Sequence, residues 1–175
     1  MKNNLLICAT SSINIINITH YIIELKRYFN EVNILLSPNS KKFLSIELLN
    51  TFCDNIFDES SHPFINHVNL ANLHEKVIVL PCSANTIGKI ANGICDNLLT
   101  TVCLTAFNKL YIFPNMNFLM WNNPFLQENL EKLKNNNIKV YIPNKTKSYE
   151  ISSGVYKENI SMPEVSEVIK FTLNF

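Results

Sequence analysis

The sequence predicts a single α/β domain built on an open, doubly wound, mostly parallel sheet. The short, continuous apolar run Leu5–Ala9 is typical of a strand buried on both faces, and Val32–Leu36 is expected to be a second strand. Segments with apolar residues at helical spacing separate these runs, and alternation of strand and helix favours parallel order. The length of 175 residues fits one compact domain.

The predicted elements alternate along the whole chain. Helices are expected over residues 13–29, 45–52, 84–93, 97–106, 125–135 and 163–173. Strands are expected over residues 5–9, 32–36, 77–80, 110–113 and 140–142, with Pro81 and Pro114 ending the third and fourth. Residues 54–67 are expected to be irregular, and residues 143–162 to form one long polar connection. This order indicates a Rossmann-like or flavodoxin-like arrangement.

Composition excludes several classes of function. The formal net charge is +1, which argues against bulk electrostatic capture of nucleic acid or an anionic membrane. No apolar run is long enough to cross a bilayer, and no signal-peptide pattern precedes the first strand. A cytosolic protein is therefore expected. The five cysteines form no CxxC pair, and an odd number in a cytosolic chain indicates free thiols. No metal site is expected.

Three predicted strand ends carry small hydroxyl residues ahead of a helix. Hydroxyls and backbone N–H groups converge there, where the helix dipole also favours an anion. The chain has only three glycines and contains neither a GxGxxG motif nor a P-loop. FMN is therefore a better candidate ligand than a dinucleotide. For any one loop taken alone, ordinary helix capping is the better explanation of the hydroxyls, whereas three such loops together make a phosphate site an equal alternative. The loops are Thr10-Ser11-Ser12, Ser37-Pro38-Asn39-Ser40 and Ser83-Ala84-Asn85-Thr86.

Two stretches carry a more specific signal. Residues 81–86 read PCSANT, and residues 114–121 read PNMNFLMW. They resemble the PASANT and PxMNxxMW motifs of the homo-oligomeric flavin-containing cysteine decarboxylases. The segment from His67 to Leu70 and residues 90–100 also follow that family's pattern. The sequence is most similar to the branch that acts on peptidyl cysteine in lantibiotic biosynthesis.

The resemblance implies FMN-dependent oxidative decarboxylation of the C-terminal cysteine of a precursor peptide, giving an enethiol. Removing a hydride from Cβ of the cysteine thiolate places a thioaldehyde β to the carboxylate, so that carbon dioxide can leave. His67 is the candidate for proton transfer and Asn117 for holding the peptide. His62 is expected to be a surface residue. Contacts with the cofactor are expected from Ser11, Ser40, Phe43, Ser83, Ala84, Asn85, Thr86 and Met120.

The long connection over residues 143–162 is expected to close over the bound peptide. Ser152, Ser153 and Gly154 supply hydroxyls and backbone freedom for such a substrate clamp. The family further implies a homo-oligomer of trimers, often assembled into dodecamers, with the flavin at a subunit interface.

Two other functions remain open. One is phosphopantothenoylcysteine decarboxylation in coenzyme A biosynthesis, where the family carries a catalytic cysteine near residues 152–154. This chain has no cysteine after Cys103, which counts against that reaction. The other is a non-catalytic regulatory flavoprotein, a class that tends to lose the histidine or asparagine present here as His67 and Asn117. The replacement of the usual PASANT alanine by Cys82 is expected to have little effect.

Overall fold

A six-stranded parallel sheet with the order β3-β2-β1-β4-β5-β7 forms the centre of the molecule. The computed structural model describes residues 3–60, 66–150 and 153–174. The order places β1 and β4 side by side at the point where the chain reverses its direction of travel across the sheet. The strands are β1 (Leu5–Ala9), β2 (Val32–Leu36), β3 (Ile56–Phe57), β4 (Lys76–Cys82), β5 (Leu110–Pro114) and β7 (Lys139–Val140).

Helices cover both faces of this sheet and produce two hydrophobic cores. Alternate residues of β1 point into opposite cores: Leu6 and Cys8 into one, Leu5 and Ile7 into the other. All four are fully buried, which explains why the strands lack a polar alternation. The predicted fold class is therefore confirmed. The helices are α1 (Ile18–Leu25), α2 (Ile46–Asn50), α3 (His67–Leu73), α4 (Ala84–Ala91), α5 (Leu98–Thr105), α6 (Phe118–Trp121), α7 (Pro124–Asn135) and α8 (Val165–Leu173).

Local chemistry explains where several helices begin. Asn97 caps α5 in a reciprocal capping box with Thr100. Pro124 occupies the first position of α7, where its missing N–H costs nothing. The segment predicted as one helix over residues 13–29 instead begins as a 3-10 helix at Ile13–Asn17 and continues as α1. No helix in the described parts of the chain has the length and apolarity to span a membrane.

Three expectations about strands were wrong. Pro81 does not end the third strand, because β4 continues to Cys82 after a register shift against β5 between Val79 and Cys82. Pro114, by contrast, does end the fourth strand as expected: it is the last residue of β5 and pairs with Cys82. The predicted strand at residues 140–142 is Lys139–Val140 instead. Residues 54–67 include β3 and the first residue of α3, although no hydrophobic periodicity marks them.

The polar connection over residues 143–162 contains regular structure. β8 (Thr146–Glu150) and β9 (Val155–Ile160) form an antiparallel hairpin. β9 also pairs with β6 (Met116–Asn117), so that a second, three-stranded sheet has the order β6-β9-β8. The hairpin is thereby attached to the segment that carries Asn117.

Candidate active site

A cavity of about 210 Å³ lies at the carboxyl ends of β1, β2 and β4, three neighbouring strands. Parallel strands place these ends on one edge, and the reversal between β1 and β4 leaves a crevice there. All three of the predicted hydroxyl-rich loops contribute to its wall. The lining residues are Thr10, Ser11, Ser37, Pro38, Asn39, Glu59, Ser83, Asn85, Thr86, Lys89, Asp96, Asn97, Leu99 and Thr100.

The junction between β4 and α4 forms the polar floor of the cavity. Ser83 caps α4, its Oγ accepting a hydrogen bond from the Thr86 N–H at 3.3 Å. The Ser83 N–H donates to Thr10 Oγ1 at 3.0 Å, and the Thr10 hydroxyl donates to the Pro81 carbonyl at 2.8 Å. These bonds tie the ends of β1 and β4 together. The first turn of α4 consequently presents its N–H groups and positive dipole end to the cavity.

Charges of both signs line the cavity wall. Lys89 Nζ lies 2.6 Å from Asp96 Oδ2, and the hydrogen bond from Lys89 lowers the pKa of that carboxyl. Glu59 also lines this cavity. With Lys89 paired, an anion in this cavity depends chiefly on hydroxyls and helix N–H groups for its binding.

The loop after β2 contributes different residues from those predicted. Ser40 is fully buried, and its hydroxyl donates to the Ser37 carbonyl at 2.8 Å. Ser37, Pro38 and Asn39 line the cavity in its place. The turn therefore uses Ser40 to hold its own backbone. Phe43, at the end of the 3-10 helix Ser40–Phe43, is 44% exposed and does not line the cavity.

His67 is the first residue of α3 and is half-buried. Asn66 caps this helix by accepting from the Val68 N–H at 2.7 Å. At the other end, His74 Nδ1–H donates to the Leu70 carbonyl at 2.7 Å, since a carbonyl can only accept. His74 Nε2 then accepts from Asn33 Nδ2 at 2.8 Å, and burial lowers the pKa of His74. The neutral imidazole thus anchors α3, and with it His67, to β2.

Asn117 caps the short helix α6. Its Oδ1 accepts from the Met120 N–H at 2.9 Å, so that Nδ2 is the hydrogen-bond donor of this exposed side chain. A second cavity of about 290 Å³ opens beside it, between α6 and β9. Asn117 is exposed and Met120 is 45% exposed. This second cavity is lined by Asn117, Phe118, Leu119, Lys157, Glu158 and Asn159.

The hairpin turn carries two of the residues predicted for the substrate clamp. Ser153 and Gly154 lie between β8 and β9, and Gly154 adopts a φ of +68°, which a side chain would disfavour. Ser152 lies outside the described residues. Ser153 and Gly154 thus lie on a hairpin whose strand β9 pairs with β6, the strand that contains Asn117.

Buried thiols lie directly behind the first cavity. Cys8 and Cys82 are fully buried, and desolvation raises the pKa of both thiols. Both therefore stay protonated and unreactive at neutral pH. The cysteine that replaces alanine in the PASANT-like motif points into the core and leaves Ser83 and Asn85 in the cavity wall.

One chain brings together only part of the predicted site. Ser11, Ser83, Asn85 and Thr86 line the first cavity, with Ala84 beside them at the start of α4. His67, Asn117, Phe43 and Met120 do not line it. Sequence reasoning missed Thr10, Lys89, Asp96 and the buried Asn115 as members of the surrounding network. Thr10 belonged to a recognised hydroxyl-rich loop, Asp96 to the family-like residues 90–100 and Asn115 to a variable position of the motif at residues 114–121, whereas nothing in the sequence distinguished Lys89.

The family model called Flavoprotein matches residues 1–175. The chain belongs to the flavoprotein family. Epidermin decarboxylase of Staphylococcus epidermidis is 63% identical to this flavoprotein over 174 residues, covering 99% of this chain and 96% of that protein.

Solved structures agree with the family assignment. The structure of EpiD H67N complexed with substrate peptide DSYTC has a TM-score of 0.95 and 62% identity, covering 99% of this chain and 100% of that one. The FMN-dependent cysteine decarboxylase TvaF from thioviridamide biosynthesis has a TM-score of 0.76 and 28% identity, covering 82% of this chain and 91% of that one.

The cavity suits the phosphate end of a flavin. The half-buried Ser83 hydroxyl and the first turn of α4 face it, together with Ser11 from the loop after β1. Hydroxyls and helix N–H groups are donors that a phosphate accepts well. The donor set of this flavoprotein therefore fits the group that its family implies.

Proposed function

We propose that this flavoprotein is an FMN-dependent decarboxylase that acts on the C-terminal cysteine of a lantibiotic precursor peptide, giving a C-terminal enethiol. The observation that carries the proposal is a pair of hydrogen-bond donor groups on separate elements. One is the cavity at the start of α4, and the other is the Nδ2 group of the exposed Asn117. They suit a cofactor phosphate and a peptide carboxylate, respectively. The likeness to epidermin decarboxylase supports the same reaction.

In this proposal Ser11, Ser83, Asn85 and Thr86 hold the FMN phosphate and ribityl chain. Met120 and Phe43 are partly exposed apolar side chains, available to lie against the flavin ring. The bound flavin supplies a hydride acceptor for Cβ of the substrate cysteine, which creates the electron sink that decarboxylation needs. The likeness to the FMN-dependent enzyme TvaF supports FMN as the flavin.

His67 and Asn117 act on the substrate itself. The His67 imidazole takes the proton from the cysteine Sγ, because a neutral imidazole nitrogen can accept a proton and the thiolate is the reactive form. Asn117 Nδ2 donates a hydrogen bond to the peptide's terminal carboxylate and orients it. The β8–β9 hairpin, with Ser153 and Gly154 at its turn, covers the peptide and excludes water.

We propose that a second copy of the chain completes the site, as trimers assembled into a dodecamer. Supporting this, His67 and Asn117 lie away from the walls of the first cavity, although both must reach the same substrate cysteine. Large apolar side chains are also exposed close to the site, including Leu119 at 84% and Phe125 at 76%. We place the enzyme in the cytosol, where its five free cysteines would stay reduced.

The test is mass spectrometry of peptides after incubation with the purified flavoprotein in air. A peptide ending in cysteine should lose one carbon dioxide and two hydrogens, whereas the same peptide ending in serine should be unchanged. Phosphopantothenoylcysteine serves as the competing substrate. Turnover of that compound without turnover of any peptide would assign the protein to coenzyme A biosynthesis. Flavin binding without turnover of either would indicate a regulatory flavoprotein.

A further inference from the structure

Asn115 is a buried amide that contacts three separate elements. It lies between β5 and β6 and is 4% exposed. Its backbone N–H donates to the Cys82 carbonyl at 2.9 Å, at the end of β4. Its Nδ2 donates to the Ile160 carbonyl at 2.8 Å, and its Oδ1 accepts from the Ser12 hydroxyl. A single side chain therefore joins the loop after β1 to the end of β9.

The chemistry of the partners determines how this amide is oriented. The Ile160 carbonyl can only accept, so the Nδ2 group must face it and Oδ1 must face Ser12. Ser12 must then donate its single hydroxyl proton to Asn115. Because the amide is buried, losing either partner leaves a polar group without its hydrogen bond in the interior. Removing either bond is therefore expected to disturb the packing around Asn115 and to weaken the other bond.

Each end of this link leads to one of the two halves of the site. Ser12 directly follows Ser11, which lines the cavity assigned to the phosphate. Ile160 pairs with Met116, and the next pair in the register joins Asn159 to Asn117. The Asn159 Oδ1 also accepts from the Phe118 N–H at 3.3 Å, which fixes the start of α6. A continuous series of hydrogen bonds and strand pairs therefore leads from Ser12 to the base of the hairpin and to Asn117.

We propose that Asn115 is a positioning residue that couples the flavin-phosphate loop to the peptide-binding hairpin, so that each ligand strengthens the binding of the other. This inference rests on the proposed function. Asn115 occupies a variable position of the PxMNxxMW-like motif, and the assignments of His67 and Asn117 do not involve it. By linkage, the effect of peptide on flavin affinity must equal the effect of flavin on peptide affinity.

The coupling is measured as FMN dissociation from diluted holoenzyme, followed by flavin fluorescence. The measurement is made with and without a saturating peptide that ends in serine and cannot react. In the wild type, the peptide should lower the FMN Kd by about fivefold or more. In Asn115→Ala the ratio of the two Kd values should fall to about one, and the KM for a cysteine peptide should rise more than kcat falls.

Further variants test the two side-chain hydrogen bonds of Asn115 separately. Asn115→Asp can still accept from Ser12 but cannot donate to Ile160, so it should also abolish the coupling. Ser12→Ala breaks the link from the other end and decides the question if an Asn115 variant does not fold. The matched control is Asn136→Ala, because exposed Asn136 also donates to a carbonyl, Lys132 O at 2.8 Å, but within its own helix end. It should keep the wild-type ratio.

A wild-type ratio of one would overturn the inference, and so would full coupling in the folded Asn115 and Ser12 variants. Failure of the wild type to decarboxylate any cysteine peptide would instead count against the proposed function. The two failures are therefore distinguishable.

Discussion

Replacing Ser83 by alanine tests whether its hydroxyl group both caps α4 and binds the FMN phosphate. Ser83 Oγ accepts from the Thr86 N–H at 3.3 Å, so Ser83→Ala removes the N-cap of α4. Loss of an N-cap serine lowers the free energy of unfolding by about 1 kcal/mol. If the hydroxyl proton is also donated to the FMN phosphate, the variant loses a hydrogen bond to a charged group, worth about 1.5–3 kcal/mol. The FMN Kd should then rise roughly 10- to 150-fold.

Ser45 provides a matched control for this experiment. It caps α2 in the same way, accepting from the Leu48 N–H at 3.2 Å, and it does not line the cavity. Ser45→Ala should therefore lose a similar amount of stability, about 1 kcal/mol, and keep the wild-type FMN affinity. Urea unfolding followed by circular dichroism gives the stabilities, and fluorescence titration gives the Kd values. Equal FMN affinity in both variants would refute the assignment of Ser83 to the phosphate.

Three further predictions concern proton transfer by His67, binding of the peptide carboxylate by Asn117 and the dependence of stability on pH. His67→Asn should keep flavin and oligomer but lose turnover by roughly 10²–10⁴-fold, and wild-type rates would contradict its role. Asn117→Asp should raise the peptide KM because it sets two carboxylates together, and an unchanged KM would make Asn117 structural. Burial lowers the pKa of His74 below its usual 6.5, so the unfolded chain binds more protons there. The wild type should therefore lose stability as the pH falls below about 6.5, and His74→Gln should show a flatter dependence in unfolding measured across that range.

The sequence contains a clear signal for elements that are buried on both faces. Leu5–Ala9 and Val32–Leu36 are fully apolar or nearly so, because both sides of the central sheet are covered. The same runs end in hydroxyl residues, and the parallel order brings those ends together. The cavity wall formed by Ser11, Ser83, Asn85 and Thr86 could therefore be anticipated from strand order alone.

The hairpin could not be anticipated in the same way. β8 and β9 pack only part of one face against the body, so exposed residues such as Tyr156 and Lys157 interrupt any alternating pattern. Its stability comes from pairing with β6, a contact across more than 40 residues that local propensity does not reveal. The expectation that Pro81 ends the third strand was wrong for a related reason. A register shift between Val79 and Cys82 accommodates a residue without an N–H, and that shift depends on the partner strand β5.

The residues that could be anticipated from the sequence and those that could not serve different parts of the proposed site. Groups assigned to the cofactor phosphate sit on adjacent strands of the sheet, whose order is set by buried apolar runs. Groups assigned to the substrate sit where the chain leaves the sheet: Asn117 on the β6–α6 junction and His67 at the start of α3. Their positions depend on hydrogen bonds made by single side chains, such as that between His74 and Asn33 and that from Asn115 to the Ile160 carbonyl. A substitution at such a link can alter substrate binding while the sheet and the phosphate cavity remain intact. We therefore expect differences in peptide preference among related flavoproteins to arise at these linking residues more often than at the strand ends.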